Sequence, residues 1–190
     1  MRRALLTFLM FAPVSAVLGQ APSRPATAEG RRAELERLFA ALADAPDEAG
    51  GALVEGRIRA LWQESVTPAV GLLVRRGLRN LNGRVAEEAL EDFDAAITLE
   101  PGAAELWHLR AQAYALGGDL VSAAADLREA LRLEPRHFPA LVTLAGIQDQ
   151  RGDAAGALRS FAAALAIHPK LRGGVARLRE LRRKAEGDNT

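Results

Sequence analysis

The sequence predicts an all-α protein: a solenoid of antiparallel helix pairs, preceded by one further helical pair and closed by a capping helix. Three observations predict it. Pro101, Pro135 and Pro169 recur every 34 residues, each just after a helical pattern. Four more columns keep the same step: Ala89, Ala123 and Ala157; Phe93, Leu127 and Phe161; Ala96, Ala130 and Ala164; Leu99, Leu133 and Ile167. Gly117-Gly118-Asp119 and Arg151-Gly152-Asp153 then punctuate the pattern, with glycine where a helix end needs positive φ and aspartate where the next helix needs an N-cap. A fixed period of this length marks a helix–turn–helix repeat, which buries its apolar face by stacking on copies of itself.

Taken in order, residues 1–19 read as a secretory leader. Met1-Arg2-Arg3 is a positive start, Ala4 to Val17 is apolar apart from Thr7, Pro13 and Ser15, and Val17-Leu18-Gly19 suits cleavage before Gln20. The run is too short and interrupted for a membrane span, which needs about 20 apolar residues, so retention as an anchor fits less well. Residues 20–28 form a Pro-rich linker. Residues 30–44 carry an apolar stripe at Leu35, Leu38, Phe39 and Leu42, and 48–64 carry another at Leu53, Ile58, Leu61 and Trp62. This pair, 29–66, has a repeat's length without its columns, so it is expected to be a degenerate repeat or a cap. Thr67-Pro68 has the form of an N-cap and first helical residue. The units run 70–103, 104–137 and 138–171, and 172–190 holds a last helix with one apolar edge (Val175, Leu178, Leu181) that covers the open end.

The column of alanines has a packing cause, because two helices approach closely only across small side chains. Ala123 and Ala157 are placed to face Ala111 and Ala145, with Trp107, Tyr114, Leu127 and Phe161 filling the space around them. These residues carry a resemblance. With Gly118, Ala130 and Pro135 they resemble the tetratricopeptide-repeat (TPR) signature, most closely in the middle unit, where Arg110 and Leu127 depart from it. The third unit departs at Gln148 and the first at Arg76 and Asn80, positions that are normally apolar. The resemblance implies a right-handed solenoid whose first helices line a concave, partner-binding groove. Leu35 to Phe39, Trp62 and Ala166-Ile167-His168-Pro169 also resemble small signal-bearing TPR proteins of Gram-negative bacteria, which implies a periplasmic interaction role.

Composition narrows the chemistry. The chain is 49% apolar and 26% charged, in the globular range. Its formal charge is +1, and setting aside Arg2 and Arg3 leaves 23 basic against 24 acidic side chains, too balanced to grip nucleic acid. No cysteine is present, which removes disulfides, thiolate metal sites, cysteine nucleophiles and lipoprotein modification together. No Gly-x-Ser-x-Gly elbow and no phosphate loop occurs. Acid pairs such as Glu91-Asp92 read as solvated helix faces, and no enzyme activity or cofactor is expected.

The histidines His108, His137 and His168 never stand three or four residues apart, so helical metal-ligand spacing is absent and no metal is expected. His137 and His168 fall at repeat junctions, where a polar loop role is expected. The groove, projected from the register, draws Val74, Leu78 and Leu81 from the first unit, Glu105, His108, Gln112 and Ala115 from the second, and Val142, Gly146 and Asp149 from the third. A protein or peptide is the expected partner, and His108 is a candidate contact. The Lys/Asn/Arg clamp that some relatives use for a peptide carboxylate is missing. Arg177, Arg179, Arg182, Arg183 and Lys184 form a basic tail, read as the solvated face of the cap or as a weak contact for anionic lipid or an acidic partner. The alternative is an enzyme or ligand carrier with its site between the N-terminal pair and the repeats, beside Trp62.

Overall fold

A computed structural model describes residues 27–187. The expected leader and residues 20–26 of the linker lie outside the described residues. Among the described residues there are nine helices and no strand. They are α1 (Ala28–Ala43), α2 (Glu48–Glu64), α3 (Pro68–Asn82), α4 (Ala86–Leu99), α5 (Ala104–Leu116), α6 (Leu120–Leu133), α7 (Phe138–Gln150), α8 (Ala154–Ile167) and α9 (Gly174–Glu186). None of them is long and apolar enough to cross a membrane.

The last residues assigned to the linker belong to the fold. Thr27 caps α1 by accepting from Gly30 N at 3.0 Å, so the helix begins at Ala28. Asp47 caps α2 in the same way, through Gly50 N at 2.7 Å. Three hairpins follow, α3–α4, α5–α6 and α7–α8, with their tightest crossings at the predicted alanines. Ala89, Ala123 and Ala157 are all fully buried. In the first hairpin the crossing is closer still, because a Cβ on Gly77 would sit 2.6 Å from the Phe93 ring.

The departures from the signature are matched by polar partners across each hairpin. Arg76 and Asn80 on α3 both bind Asp92 of α4. One repeat on, Arg110 forks onto Asp126 at 2.7 and 2.8 Å. In the third hairpin, Ser160 Oγ donates to Gln148 Oε1 at 2.6 Å. Asp92 is therefore not on a solvated face as expected: it is 1% exposed, and its charge is matched by Arg76. A buried carboxylate is tolerated only with such a partner.

The turns repeat as well, with one exception. Gly118 and Gly152 adopt φ of +86° and +79°, and Asp119 and Asp153 cap the helices that follow through Ser122 N and Gly156 N. The first unit has Arg84 at φ +61° and Val85 without a side-chain cap. A left-handed residue other than glycine costs about 1–2 kcal/mol, and a missing N-cap about 1 kcal/mol. Arg84→Gly with Val85→Asp is expected to stabilise the protein by about 2 kcal/mol, measured by urea denaturation. No gain would contradict the shared turn geometry.

The N-terminal pair does not take the place of a repeat stacked in front of α3. It lies across the inter-repeat connections, where Phe39, Leu42, Ile58 and Trp62 join Phe138 and Ala164 in one apolar cluster. Arg136, in the α6–α7 connection, bonds Glu36 with both terminal guanidinium nitrogens and stands 4.1 Å from the Phe39 ring centroid. Farther along, His168 meets Glu55 at 3.2 Å, and Gly173 N donates to Glu48 Oε1 at 3.2 Å. The row of prolines and loops thus forms a seat for the hairpin. At the other end, Leu181 of α9 is fully buried among Ala145, Ala157 and Phe161.

Candidate functional site

Trp62 of α2 stacks on His137 with ring centroids 4.3 Å apart and planes 15° from parallel. His137 is the N-cap of α7, and its Nδ1 accepts from Ala140 N at 3.2 Å. That assigns the ring proton to Nε2, which donates to Glu105 Oε2 at 2.9 Å. His108 approaches the same oxygen through Nδ1 at 3.3 Å, while its Nε2 accepts from the Gln112 amide at 2.8 Å. Thr143 Oγ1, which donates to Pro139 O, lies 3.2 Å from that nitrogen. Glu105, His108 and His137 are all buried. One carboxylate at the start of α5 therefore ties α5 to the N-cap of α7, on which Trp62 of the N-terminal hairpin stacks. The positive end of α5 favours the charge.

Glu105, His108 and His137 have ligand atoms within 4.8 Å of one another, a grouping that sequence spacing missed because His137 stands 32 residues after Glu105, at the N-cap of α7. The tautomer argues against a cation there. A metal on His137 Nε2 requires the ring proton on Nδ1, where it would face the Ala140 N–H that Nδ1 now accepts. The three groups serve one another, and no step of chemistry follows from them.

Their titration does have a consequence. Burial pushes the Glu105 carboxyl up, but the bonds from His108 and His137 outweigh it and hold the group at about 2. Burial lowers His108 and His168 below the usual imidazole value of 6.5, against the pull of Glu105 and Glu55. The unfolded chain therefore takes up protons near pH 6.5 that the folded chain refuses. Stability from these histidines is complete above that pH and is lost as pH falls below it through their folded values. Glu105 adds a contribution that is present above its ordinary 4.5 and lost as pH falls toward 2. Urea midpoints are expected to hold steady at about pH 7–8 and to drop between about pH 6.5 and 5. A flat profile over that window would count against the neutral, buried imidazoles.

The projected groove divides in two. At the end near the loops, Val74 is 6% exposed and belongs to the core with Val70 and Phe93, while Glu105 and His108 are sealed in. His108 is 1% exposed, so little of its ring is offered to a partner, although it edges the cavity that Gln112 and Val142 also line. His137 and His168 are not polar loop residues either, being 0% and 1% exposed. His168 leaves Nδ1 without a bond and sets its ring edge on Phe138, 5.3 Å between centroids. Toward the turns the groove is open. Leu78, Leu81, Gln112, Ala115, Val142 and Gly146 are half-buried there, and a Cβ added at Gly146 would meet nothing within 4 Å. Asp149 is drawn off by the cap, bonding Arg177 and Lys184 at 2.8 Å each.

Two cavities adjoin the open part and share Val142 and Leu171, one of about 300 Å³ and one of about 340 Å³. On the other side of Trp62 a cavity of about 260 Å³ is lined by Leu35, Leu61 and Ala104, with Arg31 and Arg32 at its margin.

Comparison with known proteins agrees with this architecture. The family model described as tetratricopeptide repeat matches residues 104–137. A TPR repeat-containing protein of Rhizobium etli is 30% identical over 203 residues, covering 100% of this chain and 98% of that protein. Among solved structures, the Sgt2 TPR domain from Aspergillus fumigatus aligns with a TM-score of 0.61 at 22% identity, over 65% of this chain and 83% of that one. The first TPR of Spaghetti (RPAP3), bound to the HSP90 peptide SRMEEVD, aligns at 0.59 and 17% identity, over 62% and 94%. The TPR2B-domain:pHsp70 complex of yeast Sti1 aligns at 0.57 and 21% identity, over 63% and 98%. At these identities the structures speak for the fold alone.

Proposed function

Because the chain belongs to the tetratricopeptide-repeat family, we propose that it is a non-catalytic scaffold that takes a peptide or protein partner in the open half of its concave groove. The observation that carries this is the contrast within the groove itself. The half near the loops is filled by Trp62 and the Glu105 cluster, whereas Gly146 faces free space and Leu81, Gln112 and Ala115 are only half-buried. Apolar and amide side chains on parallel first helices suit an extended or helical segment laid across them. Neighbours of the same fold hold peptides, one from HSP90 and one from Hsp70, which supports a binding role for this chain.

Its place of work is the periplasm, supported by the leader-like residues 1–19. A ligand carrier or enzyme with its site beside Trp62 draws less support. The groups that converge there saturate one another's hydrogen bonds, and no nucleophile stands among them.

A photo-crosslinking residue tests the groove. Placed at Gly146 or Ala115, it is expected to trap a discrete partner from envelope extract, and placed at Glu88 on the exposed face of α4 it is expected to trap none. Equal trapping at both faces, or none in the groove, would reject the assignment. Cell fractionation of chains with and without residues 1–19 tests the location, and a chain found in the cytoplasm with its leader present would overturn it.

A further inference from the structure

The first repeat has an uncovered leading edge, because the N-terminal pair lies along the loops and no helix stacks ahead of α3. The 34-residue register shows what that edge lacks. In the second repeat, Leu106, Leu109 and Ala113 of α5 are buried in one cluster with Phe93 and Ile97 of the preceding α4. The same positions of α3 hold Leu72, Arg75 and Arg79. All three are exposed, Leu72 by 63% where Leu106 is 1%. Arg75 and Arg79 have no acidic partner among the described residues.

A matching vacancy exists at the level of single atoms. Arg110 of α5 uses Nε and Nη2 for Asp126 of its own repeat and reaches back with Nη1 to Asp94 of α4. Arg76, one period earlier, brings Nε and Nη2 to Asp92, the counterpart of Asp126. Its Nη1 bonds nothing among the described residues, and Glu91 acts on it only through space. The Arg76 side chain is accordingly 60% exposed, against 16% for Arg110. α3 carries three arginines and no acid, and residues 1–26 contain no acid either.

We propose that the leading face of α3 docks a helix of another protein, one that carries carboxylates beside an apolar stripe and takes the place of a preceding second helix. One carboxylate meets Arg76 Nη1 as Asp94 meets Arg110, and the apolar stripe lies on Leu72. Further carboxylates meet Arg75 and Arg79, whose stems cover apolar surface while their heads reach outward. A guanidinium one bond short of its capacity suits such a group. A second copy stacked end to end fits poorly. The far end of the solenoid is closed by α9, whose exposed Arg179, Arg182 and Arg183 are cationic as well. This face is also separate from the groove, to which α3 turns Leu78 and Leu81.

The probe is a hydrocarbon-stapled peptide copying residues 86–99, because α4 already presents Asp94 to the equivalent arginine. Titrated with the full chain and followed by fluorescence anisotropy, it is expected to bind Leu72→Glu and Arg75→Glu about tenfold more weakly than the unaltered chain. Asp94→Asn in the peptide is expected to cause a similar loss. Both altered protein positions are exposed, and circular dichroism confirms that the helices remain. Absence of binding, or affinity indifferent to Leu72→Glu or to Asp94→Asn, overturns the proposal. Binding that is blocked by Ala115→Arg and not by Leu72→Glu also overturns it, since the peptide then sits in the groove. A photo-crosslinking residue at Leu72 next tests the natural occupant in cells. The captured segment is expected to be helical, with Asp or Glu three or four residues from Leu, Ile or Val. Capture of a second copy, of a segment without acids, or of nothing overturns the partner chemistry.

Discussion

Glu105→Ala is expected to lower stability by about 3 kcal/mol, an unusual loss for one side chain on the first turn of a helix. The carboxylate is the common acceptor for two buried imidazole N–H groups, from His108 and His137. Removing it strands both donors, and a buried unsatisfied polar group costs roughly 1–3 kcal/mol. Release of a buried charge offsets part of that, which is why the total is not larger. Glu105→Gln keeps one acceptor oxygen and is expected to lose less than Glu105→Ala. Urea denaturation near neutral pH checks both, and a loss below about 0.5 kcal/mol for the alanine variant would contradict the cluster as described.

Trp62→Ala is expected to cost about 3–5 kcal/mol, the range for emptying a buried aromatic site. Its effect should also be regional. Trp62 joins Phe39 and Ile58 of the hairpin to Phe138 of the third repeat and stacks on His137, so it is the main apolar tie between the hairpin and the solenoid. Hydrogen exchange is expected to show α1 and α2 losing most of their protection while α4, α5 and α6 keep theirs. Uniform loss across all helices would mean that the hairpin and the repeats unfold as one unit.

The repeats were legible because packing leaves a periodic trace. Ala89, Ala123 and Ala157 are small for a reason that recurs with each hairpin, and the prolines end each second helix in the same place. The substitutions that looked like flaws, Arg76, Asn80, Arg110 and Gln148, were also visible, but their meaning needed the facing residues Asp92, Asp126 and Ser160 sixteen or twelve positions on. What the period could not disclose was where the aperiodic pair would lie. α1 and α2 have helix stripes and no columns, so nothing local says that they run along the loops instead of stacking ahead of α3.

The misjudged groove residues follow from that gap. His108 stands in the same column as Val74 and Val142, and a histidine in an apolar column is a signal of burial beside a polar partner. Glu105, three residues earlier on α5, is that partner. His137 offered no comparable sign, since its ring is fixed by Ala140 N ahead of it and by Trp62 from far back in the chain. Around Gly146 the surface is open, and a Cβ added there would meet nothing within 4 Å.

The placement of α2 over the loop end of the groove is the claim on which the division of the groove and the buried cluster both depend. With two tryptophans and three histidines in the chain, selective labelling makes the contact observable by nuclear Overhauser effects. Strong cross-peaks between the indole protons of Trp62 and the ring protons of His137 are expected at their 4.3 Å centroid separation. A Trp62 indole that shows no contact with His137 and exchanges freely with solvent would contradict the account.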